Sequence, residues 1–327
     1  MKATIGLLGD VMLGRGVAER LGAAHPSELW SPEIRAITST FDLTIANMEC
    51  CISERGQPTE LIRGKPFFFR GPPSAVESLT AIGVSAVGLA NNHALDFGPE
   101  ALADTLRHLE AAGIATAGAG EGRERARRGI VVRGSDVTLG LVAVSDHPAQ
   151  FEAGEGTGGI AYADLRTGVP GWLVDEIRRL RSESQLVLAF PHWGPNMTVR
   201  PASWQQSAAA ELLEAGADVV AGHSAHVFHG IELADKGVIA YDLGDALDDY
   251  AVDRDLRNDL GVLVVWHGGS EDPWLELYGL HLEYCHTRLA VGADADWIAS
   301  RLEHACGELG TAAERVGEQR FRVSRAP

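Results

Sequence analysis

The 327-residue chain predicts an α/β fold, a four-layer α/β/β/α sandwich built from two mixed sheets. Three observations predict it. Apolar, strand-like runs alternate with helical stretches through the first half. Paired runs separated by short turns enter in the middle and dominate near the end. Several runs stop abruptly at an acid, an amide or an imidazole. Alternation requires a parallel sheet and hairpins require antiparallel strands, so two mixed sheets packed face to face between helices accommodate both.

Thr4 to Leu8 is a short apolar run closed by Gly9-Asp10, and helices are expected over about 14–23 and 31–40. Asp42 to Ala46 is the next strand, with Asn47-Met48-Glu49 at its end. Residues 53–73 are rich in Gly, Pro and charge. The three phenylalanines in Lys65-Pro66-Phe67-Phe68-Phe69-Arg70 read either as a core strand or as a substrate-facing loop with Lys65 and Arg70 as anion contacts. A helix over about 74–82 leads to the buried run Val84 to Ala90, which ends at Asn91-Asn92-His93.

A periodic helix over about 99–112 and a strand at 114–117 follow. The glycine-rich Gly118–Gly122 lacks the Lys-Ser or Lys-Thr of a phosphate-binding loop and reads as a plain connection. Ile130 to Arg133 and Val137 to Val144 form a hairpin, then a helix is expected over about 170–184. Leu186 to Phe190 stops at Pro191-His192-Trp193-Gly194. A helix over 202–215 precedes a strand at 218–221, which ends in Gly222-His223-Ser224-Ala225-His226. The runs 230–233 and 238–243 pair, as do 261–267 and 275–284, and a helix over 294–309 closes a single domain of residues 1–310. Residues 311–327 read as a polar, peripheral tail.

With 45% hydrophobic and 22% charged residues the composition is that of a soluble globular protein. The net charge of −17 argues against a nucleic-acid partner, which needs a concentrated basic surface. Cys50, Cys51, Cys285 and Cys306 show no metal or disulfide spacing, which fits a reducing setting. No signal-like segment opens the chain and no apolar run approaches the roughly 20 residues of a membrane span, so no membrane partner and a cytoplasmic location are expected.

The chemistry collects at run ends. Asp10, Glu49, Asn92, His93, His192, His223 and His226 each follow an apolar strand, and in open α/β sheets ligands bind outside the carboxyl ends of strands. Carboxylate, amide oxygen and imidazole without thiolate suit Mn, Ca, Fe, Zn or Mg, so one or two divalent ions are expected. Arg15 follows the first motif and could hold an anionic group bidentately. Trp193, beside His192, is a candidate for the pocket wall, and His286 closes a late strand.

Six ordered motifs resemble those of the CapA-like, poly-γ-glutamate capsule synthesis family, a branch of the calcineurin-like metallophosphoesterase superfamily. They are Gly9-Asp10-Val11-Met12-Leu13-Gly14-Arg15, Asn47-Met48-Glu49, Ala90-Asn91-Asn92-His93 with Asp96-Phe97-Gly98, His192-Trp193-Gly194, Gly222-His223-Ser224-Ala225-His226-Val227 and Tyr241-Asp242-Leu243-Gly244-Asp245. The resemblance covers about residues 4–290 and implies a metallophosphatase-like sandwich. It implies that Asp10 and His226 belong to one metal position, that Asn92, His192 and His223 belong to a second, and that Glu49 stands at the bridge. His93 would then be the acid/base or oxyanion-contacting histidine, and Asn91 a residue shaping the turn.

The departures matter as much. Met12 stands where the superfamily has a histidine, and the closing Gly-His-x-His is stretched by one residue. Asp245 replaces the usual asparagine near the substrate. A metal held by these groups polarises a carbonyl, which permits removal of the neighbouring α-proton or attack at the carbonyl carbon. The first outcome, with His93 and Asp10 or His286 moving the proton, makes the chain a metal-dependent peptide epimerase, as in soluble relatives of the family that act on ribosomally made peptides. Poly-γ-glutamate synthesis or amide hydrolysis is the alternative, then phosphoester hydrolysis, then a non-enzymatic metal-dependent binding module. The substrate is accordingly a peptide or a polyglutamyl chain, contacted by Arg15, Arg70, Trp193 and Asp245.

Overall fold

The computed structural model describes residues 3–268 and 275–326. The first sheet runs Thr311–Arg315, Arg320–Arg325, Leu275–Glu283, Leu260–Gly268, Ala3–Val11, Leu43–Met48, Val84–Gly88, Ala115–Ala117. From Ala3–Val11 onward the pairing is parallel, and on the other side it is antiparallel. The second sheet runs Ile231–Ala234, Gly237–Ala240, Val219–Ala221, Leu186–His192, Thr138–Ser145, Ile130–Arg133, with a parallel centre and antiparallel edges.

Strand alternation separates the two faces of the second sheet. Val142, Val144, Val187, Ala189, Val220 and Ile239 point outward, where Leu173, Ile177, Leu180, Ala208, Ala209 and Leu212 of helices Gly171–Glu183 and Ser203–Ala215 cover them. Leu139, Leu141, Leu188, Phe190, Val219 and Ala240 point inward and share one core with Ile5, Leu7, Ile45, Val87, Val262 and Leu277 of the first sheet. That shared core packs the two sheets face to face.

The expected elements form, mostly one to three residues shorter than predicted. Residues 311–327 differ: Thr311–Arg315 and Arg320–Arg325 form a hairpin that extends the first sheet. The reason is a period of two, in which Phe321 and Val323 are buried while Arg320 and Arg322 face solvent. Polarity at every other residue hid a strand that is paired on both sides. The phenylalanine stretch is an irregular loop and not a core strand, with Phe69 buried and Phe67 55% exposed, and both line the cleft described below.

One glycine fixes the geometry of the first strand end. The parallel register of Ala3–Val11 against Leu43–Met48 shifts between Leu8 and Asp10, so that Asp10 pairs with Asn47 and, on its other side, with Asp245. Asp10 N–H donates to the Gly244 carbonyl at 3.1 Å, and a Cβ on Gly9 would lie 1.9 Å from that carbonyl oxygen. Gly9→Ala is therefore expected to cost about 2–4 kcal/mol. In urea titration this appears as a lower midpoint at unchanged slope.

Candidate metal centre

The strand ends converge on a buried cluster. Asp10 comes from Ala3–Val11, and Glu49 follows Leu43–Met48. His192 ends Leu186–His192, and His223 and His226 lie in the turn after Val219–Ala221. Asp10 Oδ1 lies 3.5 Å from His223 Nδ1 and 3.9 Å from His192 Nδ1, while its Oδ2 lies 3.6 Å from His226 Nδ1. Glu49 Oε1 lies 3.8 Å from His192 Nε2 and 4.0 Å from His93 Nε2. Two donor groups result, Asp10–His192–His223 and Asp10–Glu49–His226.

Donor atoms bound to one ion at about 2.0–2.3 Å stand about 3–4 Å apart, the spacing found here. A sharper test of fit is what these atoms lack. Asp10 Oδ2, Glu49 Oε1, Asn92 Oδ1, His192 Nε2 and His223 Nε2 are buried without a hydrogen-bond partner. Buried polar atoms are normally satisfied. Five such orphans on metal-ligating residue types fit a divalent cation.

The electrostatics agree. Burial lifts the Asp10 carboxyl well above its ordinary range, against the attraction of His226, and Asp245 and Asp242 add to the rise. Burial also pushes Glu49 up to about 8, with Asp10 adding repulsion. Burial drives His192 and His223 well below their ordinary value, and for His192 the neighbouring His223 adds to the fall. Burial opposes the charge on His226, yet Glu49, Asp10, Asp242 and Asp248 together hold it above its ordinary value. A cation would make ionised acids and neutral imidazoles, the ligand forms, the stable ones.

His93 is held from behind. Its Nδ1 lies 2.6 Å from Asp96 Oδ2, which also accepts the Phe69 N–H at 2.6 Å, and Lys65 Nζ pairs with Asp96 Oδ1 at 3.2 Å. Phe69 stacks on the His93 ring at 3.9 Å between centroids. Burial pulls His93 down to about 4, with the Asp96 carboxylate opposing that fall. Lys65 Nζ also donates to the Asn92 carbonyl at 2.9 Å. Asn91 braces the turn, donating to Asn47 Oδ1 and the Met48 carbonyl and accepting the His93 N–H.

The cluster opens into a cleft of about 290 Å³ lined by Arg15, Phe67, Phe69, His93, Met197, His226 and Tyr250, among others. Arg15 Nε donates to Asp249 at 3.0 Å, and its guanidinium lies over the Phe67, Phe69 and Tyr250 rings.

Four expected site residues fall elsewhere. Trp193 is fully buried, with its indole N–H on the Tyr241 carbonyl, because it packs in the core outside the second sheet. Arg70 donates to the carbonyls of Arg55 and Gly56 and lies over Phe97, so its charge is used within the loop. Asp245 accepts from His226 Nδ1 at 2.8 Å and positions that ring from behind. His286 sits on the His286–Leu289 strand, 3.4 Å from Glu283, and does not line the cleft.

Asp10 rather than Glu49 is common to both donor groups, because its two oxygens face opposite ways; Glu49 reaches across through Oε1 alone. Sequence reading places Asp96 in a motif without a role, and it misses Tyr250 and the hydrogen bond from Asn47 to Asp10. Asp96 was within reach, three residues after His93 in a turn. His147, which carries no sequence motif, has its ring 5.2 Å from that of His192 and is held by Asp146.

Residues 4–250 match the family model described as bacterial capsule synthesis protein PGA_cap. A probable polyglutamine synthesis accessory protein of Mycobacterium tuberculosis is 29% identical, over 94% of this chain and 92% of its own. The PGA biosynthesis protein CapA of Bacillus subtilis is 28% identical over 74% of this chain and 62% of its own. The capsule biosynthesis protein CapA of Bacillus anthracis is 25% identical over 76% and 60%.

Metal-free protein is expected to lose stability as pH rises from 6.5 to 8. Glu49 has a folded-state value of about 8 against 4.5 unfolded, so the stability that goes with its protonated form is lost on ionisation across that interval. The lowered histidines give the opposite slope, but only below their unfolded value of 6.5. Melting temperatures measured across this interval should fall, and Glu49→Gln should flatten the fall.

Proposed function

The chain belongs to the bacterial capsule synthesis (PGA_cap) family, and from that premise we propose that it is a divalent-metal-dependent enzyme acting on amide bonds of a polyglutamyl chain during poly-γ-glutamate synthesis. The family lies in the metallophosphoesterase-like superfamily, and a metal-dependent, enzyme-like role follows from it. The observation that carries the finer reading is the cleft. His93 and His226 in its lining stand 4.0 and 3.6 Å from the orphaned Glu49 Oε1 and Asp10 Oδ2, and among the described residues Arg15 is the only Lys or Arg that lines it. The names of the three relatives above concern capsule, PGA and polyglutamine synthesis, and none mentions epimerisation, so the polyglutamyl amide takes precedence over the α-carbon of a ribosomal peptide.

A divalent ion bound by Asp10, Glu49, Asn92, His192, His223 and His226 supplies Lewis-acid polarisation of an amide carbonyl. Arg15 takes a glutamyl carboxylate through the part of its guanidinium that Asp249 leaves open. Asp96 holds a proton on His93 Nδ1, which leaves Nε2 to take or return a proton at the reacting amide. Phe67, Phe69 and Tyr250 exclude water from that exchange.

Incubation of the metal-loaded protein with γ-linked oligoglutamate in deuterated water is expected to change chain length, as read by mass spectrometry. Deuterium gain at constant length restores the epimerase reading, and an unchanged oligomer refutes action on this polymer. His93→Gln should lower turnover by about 10²–10⁴-fold. Arg15→Met should raise KM about tenfold or more with a smaller effect on kcat.

A further inference from the structure

The two carboxylates of the cluster are held differently. Tyr250 donates its phenolic hydrogen to Glu49 Oε2 at 3.1 Å, while Glu49 Oε1 is buried without a partner. Asn47 Nδ2 donates to Asp10 Oδ1 at 2.6 Å, but both Asp10 oxygens face histidines of the cluster, so Glu49 is the carboxylate held through one oxygen. We infer that Tyr250 is a positioning residue that holds Glu49 to one-oxygen coordination and thereby sets the site against Ca²⁺ in favour of smaller ions such as Mn²⁺ and Zn²⁺. This rests on the cluster being a metal centre and adds which ion it selects.

The physical argument runs through ligand count. Ca²⁺ takes about six to eight oxygens and often gathers them from two-oxygen carboxylates. An oxygen that already accepts a phenol or amide hydrogen is a poorer donor to a cation, so a clamped carboxylate offers a large ion too few oxygens. Mn²⁺ and Zn²⁺ accept imidazole nitrogen and fewer ligands. His192, His223 and His226 supply that nitrogen.

Tyr250 is fixed well enough for such a clamp. Its ring packs edge-on to His226 at 5.2 Å and against Phe69 at 5.7 Å, and its backbone N–H donates to Asp248 Oδ1 at 2.8 Å. The phenol reaches Glu49 from 201 residues along the chain. Removing only its oxygen leaves the packing in place and frees Glu49 Oε2.

The test is calorimetric titration of the metal-free full chain with Mn²⁺, Zn²⁺ and Ca²⁺, on wild type and Tyr250→Phe, with melting temperatures recorded on both. Wild type is expected to bind Mn²⁺ and Zn²⁺ more tightly than Ca²⁺, and Tyr250→Phe to narrow the Kd ratio of Ca²⁺ to Mn²⁺ by about tenfold. A general loss of structure weakens all three ions together, whereas release of the clamp moves the ratio. An unchanged ratio in a folded variant overturns the inference and leaves the metal reading standing. Failure of wild type to bind any of the three overturns both. Should Tyr250→Phe not fold, Tyr250→Met, which also frees Glu49 Oε2, must narrow the ratio in the same direction or the inference falls.

Discussion

Everything at the site depends on the two sheets facing each other at one fixed spacing. Asp10 belongs to the first sheet and His223 follows a strand of the second, yet their side chains approach to 3.5 Å. That contact exists only because small residues let the sheets close. A Cβ on Gly88 would lie 2.8 Å from the Phe190 ring, and Phe190 in turn packs edge-on against the His223 ring at 4.5 Å. The absence of a side chain on one strand therefore sets the position of an imidazole on the opposite sheet. Parallel register does the rest, since Asp10 opposite Asn47 and Asn47 opposite Gly88 align three strand ends on one edge of the crevice.

Convergence of this kind buries charge, and burial of unpaired charge is costly. The chain answers it differently on the two sides of the cleft. Around His93 the compensation is internal, because the Lys65 ammonium pairs with the Asp96 carboxylate and leaves His93 free to be neutral. Around Asp10 and Glu49 it is not, because their neighbours include Asp242, Asp245 and Asp248. The only nearby group raised toward its cationic form is His226. Fold stability and ion binding are thus linked through the same oxygens. In the proposed mechanism the protein keeps its own counter-ion where a proton moves and takes an external one where a carbonyl is polarised.

The sequence made the strand ends legible because each ligand type interrupts an apolar run, and a run that stops at Asp, Glu, Asn or His needs no tertiary information to be noticed. Helices and hairpins were legible for the same reason, through period. The layer behind the ligands was not. Tyr250 reaches Glu49 across 201 positions, and nothing local distinguishes it from an ordinary core tyrosine. Trp193 shows the converse, since adjacency to His192 suggested a pocket residue while strand alternation turned it outward to Tyr241 and Trp204. Arg70 and Lys65 share one loop, but only three dimensions show that one spends its charge on carbonyls and the other on Asp96.

The missing imidazole of the first motif acquires a physical meaning from the same geometry. Met12 is buried, and its sulfur accepts the Gly14 N–H at 3.0 Å, so it supports the turn into helix Arg15–Leu21 and offers nothing to the cluster. The group Asp10–Glu49–His226 therefore has two carboxylates and one imidazole, whereas Asp10–His192–His223 has one carboxylate and two. Their chemistry is unequal, oxygen-rich on one side and nitrogen-rich on the other. Two-metal phosphoester cleavage uses a matched clamp on the attacking and leaving oxygens. An unequal pair that shares Asp10 suits a different demand, in which one position polarises a carbonyl and the other holds the shared carboxylate in place. A single substitution at the third residue of a strand-end motif thereby makes the two donor groups unequal, which favours the proposed amide over a phosphoester.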